Sequence, residues 1–336
     1  MRLRYILILF ILVIIGLAIF FLQRNTLMTS SAPLRPVIVR LSWLKQAQYA
    51  GMFVALEKGF YKDAGLDVTF KEYQDGLDQG QEVADGKVNF AITTGVALLN
   101  SVNMGKKVKA IAVIYQTTPE SFAALSGSGI VSPKDWKGKV LGSKGGNKEA
   151  VVLYKWLLTK FGIPRSSVVL KDLDYSITEG QDLQSHRADV VDIYRNDQTR
   201  TLETKGIKYN LITPETYGIN AYGDNIIASD ALISDNPQLV QAFVQATLKG
   251  WEYALSHRSE AIQVSTKYAN PQYEDPLQEA YIYDKSVALI EEKAHGAIGS
   301  MNYITWNNLS KAMIDDELLR RDFDVTTAYT TKFLNK

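Results

Sequence analysis

Polar and aromatic side chains gather where runs of strand character give way to runs of helix character. SWLKQAQYAG, beginning at Ser42, offers Trp43 and Tyr49 for stacking and the amides Gln46 and Gln48 for directional hydrogen bonds. Thr93 and Thr94 follow a second apolar run, and Tyr115 and Gln116 close a third. KGGNK supplies Lys144, Gly146, Asn147 and Lys148. Asp192 and Tyr194 sit in VVDIY, and Tyr222 and Asp224 flank Gly223 in AYGDN. Rings suit a flat ligand, amides and carboxylates suit its edge, and lysines suit an anion. Each group also has an ordinary structural reading. Trp43 can be core, Thr93 and Thr94 can cap the following helix, KGGNK can be a surface turn, and Asp192 can be a satisfied loop carboxylate.

Composition narrows the chemistry. The chain has 336 residues, 37 Lys and Arg against 36 Asp and Glu, and no cysteine. Near-zero net charge gives no electrostatic reason for a nucleic-acid partner. Without cysteine there is no disulfide, thiolate zinc site, iron–sulfur cluster or cysteine nucleophile. The histidines, His186, His257 and His295, are scattered and lack metal-ligand spacing. No Gly-x-Ser-x-Gly elbow or His-Glu-x-x-His motif is present, and nothing pairs a nucleophile with a histidine. Binding explains these residues better than catalysis does, and no cofactor or metal is expected.

The elements that must position these groups alternate. Strand patterns run over 37–43, 66–72, 89–93 and 108–116, with helix patterns over 47–58, 77–85 and 96–104 between them. A second alternation places strands at 140–143, 168–170, 190–194 and 209–212, and helices at 148–161, 180–187 and 197–205. The remainder is mostly helical, over 237–256, 259–268, 275–292 and 304–314. This order predicts an α/β protein with mainly parallel sheets, whose ligand lies beyond the carboxyl ends of the strands. The glycine-bearing stretches 126–129 and 218–223 are the expected hinges between lobes. The divisions are an anchor at 1–25, a linker at 26–36, a first lobe at 37–125, a second at 126–222, and the first lobe's return with C-terminal helices at 223–336.

At the N-terminus, Arg2 and Arg4 precede an uncharged apolar run over 5–22. At ~1.5 Å per residue it reaches ~27 Å, enough to span a bilayer. The flanking arginines predict a cytoplasmic N-terminus and an exported body. Pro33 follows the small residues Ser30, Ser31 and Ala32, which disfavours cleavage there and favours an uncleaved signal-anchor.

WLKQAQYAGMFVALEKGFYKDAGLDVTF resembles the opening of the bacterial periplasmic solute-binding proteins related to thiamine-pyrimidine synthase and to the alkanesulfonate- and nitrate-binding proteins. DGKVNFAITTGVALL, SGIVSPKDWKGKVLGS and YGINAYGDNII resemble later landmarks of that family, in the same order, so the resemblance spans residues 37–260. It implies the two-lobed type II periplasmic binding protein fold, in which two crossing strands join the lobes and the lobes close on a small molecule. It further implies a monomer on the extracytoplasmic side of the inner membrane, delivering ligand to the permease and ATPase of an ABC-type importer. The implied ligands are a thiamine pyrimidine precursor, riboflavin, a sulfonate or nitrate. The related enzymes use a lysine, a histidine and a cysteine-rich iron site. Thr93, Ala97 and residues 219–222 stand at the corresponding positions, so synthase activity is not expected. Aromatic groups, amides and Asp192 or Asp224 favour a pyrimidine or flavin-like ring, whereas Lys144 and Lys148 would serve an anion. A membrane-anchored ligand sensor is the alternative from another functional class.

Overall fold

The computed structural model describes residues 33–273, 275–291 and 298–334. The expected membrane anchor over 5–22 lies outside them, and among the described residues no helix is long and apolar enough to cross a membrane. From residue 36 onward the chain forms one compact unit.

Its first run comprises β1 (Arg35–Arg40), α1 (Ala50–Glu57), α2 (Phe60–Asp63), β2 (Leu66–Lys71), α3 (Gln79–Ala84), β3 (Phe90–Thr93), α4 (Gly95–Asn103) and β4 (Val108–Val113). The chain then crosses through residues 114–119. The second run is β5 (Glu120–Leu125), β6 (Val140–Lys144), α5 (Lys148–Lys160), β7 (Val169–Leu173), α6 (Glu179–Gln184), β8 (Val190–Tyr194), α7 (Thr199–Thr204) and β9 (Tyr209–Ile212). After residues 213–224 come β10 (Asn225–Ser229), α8 (Asp230–Asp235), α9 (Pro237–Ser256), α10 (Arg258–Tyr268), α11 (Pro276–Glu291) and α12 (Tyr303–Asp315).

Two five-stranded sheets result, ordered β2-β1-β3-β10-β4 and β7-β6-β8-β5-β9. Each contains one strand running against its neighbours. β10 is antiparallel to β3 and β4, with Asn225 opposite Thr93 and Val113. β5 is antiparallel to β8, with Glu120 opposite Tyr194. Both reversals depart from the expectation of mainly parallel sheets. They follow from connectivity, because a chain leaving one sheet at its carboxyl edge enters the next from that same edge. β5 also corrects the expected boundary at residue 125, since residues 120–125 pair within the second sheet. The glycine stretch 126–129 therefore lies past that strand, where Ser126 N donates to Lys208 O, and it is no crossing between sheets. The crossings are 114–119 and 213–224. They pass so closely that a Cβ on Gly223 would stand 2.8 Å from Tyr115 Cβ, and Gly223 N donates to Tyr115 O at 3.1 Å.

Burial follows strand period and helix stripe. β2 buries Leu66, Val68 and Phe70 and exposes the residues between, as an edge strand with one covered face does. The stripe Leu239, Val240, Phe243, Val244, Thr247, Trp251 and Ala254 of α9 faces the first sheet and α1. Phe243 stacks on Phe90 with ring centroids 4.0 Å apart. At the α1–α9 crossing a Cβ on Gly250 would fall 2.1 Å from Gly51 O. A methyl there forces apart the helix that leads out of the 42–49 turn. Gly250→Ala should lower stability by ~1–3 kcal/mol, the usual cost of overpacking. Urea unfolding of the variant checks this, and an unchanged midpoint would refute so close a crossing.

Candidate ligand cleft

Strand reversal delivers a carboxylate to the carboxyl edge of each sheet. Asp224 immediately precedes β10, so it lies beside the carboxyl ends of β3 and β4. The 42–49 turn comes over it from β1. Glu72 and Asn270 pin that turn: Lys45 N donates to Glu72 Oε1 at 2.8 Å, and Asn270 N donates to Lys45 O at 2.8 Å. Gln46 is extended and enters a single 3₁₀ turn over Ala47–Tyr49. Gln46 Nε2 donates to Gln48 Oε1 at 2.9 Å, and Gln48 Nε2 donates to Asp224 Oδ2 at 2.9 Å. Both amides thus point their donors toward the buried acid, and Gln46 Oε1 finds no donor among the described residues. Burial pushes the Asp224 carboxyl up to about 7; the Gln48 hydrogen bond opposes this and the Glu149 charge reinforces it.

The second sheet answers with three more acids. Asn147 caps α5 through its Oδ1, while its Nδ2 donates to Glu120 Oε2 at 2.8 Å and to Asp192 Oδ2 at 3.1 Å. Thr118 Oγ1 donates to Glu149 Oε1 at 2.7 Å. All three carboxyls are buried. Burial raises Asp192 to about 6, against hydrogen bonds from Lys144 N and Asn147. It raises Glu149 to about 7, against Thr118 and Thr94. Glu120 is raised by burial and then by the charges of Asp192 and Glu149. Among the described residues, no lysine or arginine forms an ion pair with Glu120, Glu149, Asp192 or Asp224.

Aromatic groups stand at the mouth. Trp43 is 37% exposed, stacks on Tyr73 at 5.5 Å, and donates from Nε1 to Tyr273 OH at 3.1 Å. Tyr273 OH donates to Asp197 Oδ2 at 3.1 Å, and Gln278 Nε2 donates to Asp197 Oδ1 at 2.8 Å. Thr199 Oγ1 and Tyr281 OH are 2.8 Å apart, and Tyr281 OH also donates to Glu203 Oε1. These contacts tie the α11 region, packed on the first lobe, to the start of α7 in the second.

The structure brings together Gln46, Gln48, Asp224, Asn147 and Asp192, with Tyr194 half-buried near Glu149 and Glu120. Others lie elsewhere or act differently. Tyr49 is fully buried in the first lobe's core, edge-on to Phe53, with its hydroxyl 2.9 Å from Ser42 Oγ, so it packs beneath the turn. Thr93 is buried at the end of β3. Thr94 caps α4 through Ala97 N, the ordinary structural reading, and its hydroxyl also reaches Glu149. Gln116 Nε2 is held by the Val113 and Ser300 carbonyls. Tyr222 packs on Trp306 and accepts from Asn302 N, fastening the start of α12. Lys144 is turned inward to Asp182 and to the carbonyls of Asp174 and Ile177. Its role as an anion ligand is thereby corrected, since a buried acid 38 residues further on already takes the charge. Gly146 N donates to Asp172 Oδ1 and Lys148 is exposed. Glu120, Glu149, Tyr73, Tyr273 and Asp197 were not legible as site residues. Glu120 opens a strand that follows an irregular crossing, and Glu149 resembles any acid in a helix's first turn.

Comparison with known proteins fits this architecture. The riboflavin-binding protein RibY of Chloroflexus aurantiacus is 26% identical over 308 residues, 90% of this chain and 86% of that protein. The formylaminopyrimidine-binding protein of Halalkalibacterium halodurans is 26% identical over 301 residues, 87% of this chain and 89% of that protein. The periplasmic aliphatic sulphonate-binding protein SsuA of Escherichia coli superposes with a TM-score of 0.68 at 12% identity, covering 87% of this chain and 91% of that one, which identifies a shared fold. Residues 46–261 match the family described as NMT1/THI5 like, and a match over that much of the sequence makes this chain a member of the NMT1/THI5-like family.

Proposed function

We propose that this chain is the extracytoplasmic solute-binding subunit of an ABC-type importer, and that its ligand is a flat heterocycle rich in N–H groups, of the aminopyrimidine or flavin type. One observation carries the reading. Among the described residues, the buried acceptors left unpartnered beside the cleft acids include Gln46 Oε1 and Glu120 Oε1, and they stand among four buried carboxyls. A buried acceptor without a donor costs ~1–3 kcal/mol, so a ligand that brings N–H groups recovers that loss. An anion would meet carboxylates instead, with Lys144 committed to Asp182 and Lys148 exposed outside. Relatives named for riboflavin and for formylaminopyrimidine support the same class of ligand. The role is binding without catalysis: Thr93, Ala97 and residues 219–222 carry no lysine, histidine or cysteine where the resemblance to the synthases would need them. The apolar run over 5–22 serves as the membrane anchor that keeps the binding unit beside the permease.

Titration calorimetry of the full chain with 4-amino-5-hydroxymethyl-2-methylpyrimidine, formylaminopyrimidine, riboflavin, taurine and nitrate tests this at low and high salt. A pyrimidine or riboflavin should bind with little salt dependence. Trp43→Ala should weaken that binding at least about tenfold, ~1.4 kcal/mol, because it removes the ring at the mouth and its tie to Tyr273. Salt-sensitive binding of taurine or nitrate alone, indifferent to Trp43, would overturn the assignment. Closure is checked separately. The crossings 114–119 and 213–224 are the hinge in this reading, so the ligand that binds should reduce the radius of gyration in solution scattering. A scattering profile unchanged at saturation would refute closure about those segments.

A further inference from the structure

We infer that Glu120 and Asp192, bridged by the Asn147 amide, share a proton at the floor of the cleft and release it to solvent when an N–H-bearing ligand docks, so that ligand capture is coupled to proton release. The inference rests on the reading of the ligand as an N–H donor.

The geometry is that of two acids sharing one site. Asn147 Nδ2 has two hydrogens and spends them on Glu120 Oε2 and Asp192 Oδ2. Asp192 Oδ1 takes a further hydrogen bond from Lys144 N at 3.0 Å. Glu120 Oε1 has no donor among the described residues, although Glu120 is 0% exposed. Two buried carboxylates this close cannot both ionise cheaply, and the pair titrates as a unit.

The surroundings add little positive charge. From α5 the pair faces Glu149 and Tyr154, and from its own strand β8 Tyr194. Glu179 of α6 raises Asp192, and Tyr175, from the loop after β7, feels both acids. On the first sheet's side Asp224 adds a further acid, coupled to Glu149 and Tyr194. Lys144 of β6 is a cation that lowers Asp192, but its ammonium is bound to Asp182, which also pairs with Arg187. It lowers Asp192 less than burial raises it.

The step balances simply. The O–H bond of one carboxyl breaks and its proton passes to bulk water. The freed oxygen then accepts the ligand's N–H, and no redox partner is needed. The ionised carboxylate accepts the ligand's N–H more strongly than the neutral carboxyl does, and that gain offsets the repulsion between the two acids, so docking and deprotonation favour each other.

Two readouts test this, and the first needs no ligand. Infrared spectra of the full chain between about pH 5 and about pH 9 should show protonated carboxyl above about pH 6, where ordinary side-chain acids are ionised. Glu120→Gln and Asp192→Asn, which keep the shapes, should each remove part of that signal. They should also be more stable than the wild type near pH 8 and approach it only below about pH 4, under the ordinary side-chain acid values. The sign follows because an acid with a raised folded-state pKa stabilises below its unfolded value and loses that contribution as pH rises through the folded value. Spectra and stability profiles identical to the wild type in both variants would overturn the shared proton.

The second readout is calorimetry with the aminopyrimidine and with riboflavin, in buffers of different ionisation heat. Release should approach one proton per ligand at pH values where the free pair still holds its proton, with affinity rising up to about tenfold per pH unit there and levelling once the pair ionises, and Glu120→Gln should abolish both. Binding with no proton release would overturn the coupling. Failure of both probes to bind, with the infrared signals intact, would overturn the ligand assignment and leave the shared proton standing.

Discussion

Burial of carboxyl groups at the carboxyl edges of two facing sheets is the constraint on which this structure turns. Water is a far better solvent for an ionised acid than a protein interior is, so each such group must be hydrogen-bonded, protonated or both. Asp224 relies on Gln48 and the pair Glu120–Asp192 relies on Asn147. The secondary structure explains how they come to be there. In a purely parallel sheet the carboxyl edge receives only strand ends. One reversed strand in each sheet brings a strand beginning to that edge, and those beginnings carry Asp224 and Glu120.

Because each half of the cleft belongs to a different sheet, its geometry depends on what holds the halves together. Two crossings do this at the back, where Gly223 lets them touch. At the mouth the work falls to hydrogen bonds between the α11 region and the start of α7. Asp197 is central there: burial raises its carboxyl to about 6, while Tyr273 and Gln278 lower it by donating to it. The indole N–H of Trp43 feeds the same chain through Tyr273 OH. The ring proposed to meet the ligand is therefore mechanically connected to the contacts that join the two lobes.

Much of this was legible in the sequence because local pattern determines it. β8 and β9 fall on the residues that alternation and flanking polar groups mark out, and the Gln46–Gln48 turn lies where a strand yields to a helix. β5 and β10 were missed because each follows an irregular crossing between the sheets and breaks the strand–helix alternation that marks the others. Residue roles were harder still. Lys144 in a glycine-rich turn has the look of an anion ligand, and nothing local reveals that Asp182 takes its charge. Tyr222 and Asp224 flank one glycine, yet the first secures the start of α12 while the second enters the cleft. Which way a side chain turns at such a place is decided by packing far away in sequence.

The two acid-lined faces also bear on how one fold can discriminate between ligand classes. Across the cleft Asp224 responds to Glu149, and Tyr194 responds to Asp224, so the facing sheets are within electrostatic reach of each other. Like charges brought together in a low-dielectric space repel strongly, and an anion between them adds to the repulsion. A ligand with N–H groups on opposite edges does the reverse, since each face donates acceptors and the ligand supplies hydrogens to both. Selectivity then needs no dedicated gate. Under the proposed function it arises because closure juxtaposes two acid-lined surfaces, which makes the closed state cheap only around a guest of complementary chemistry.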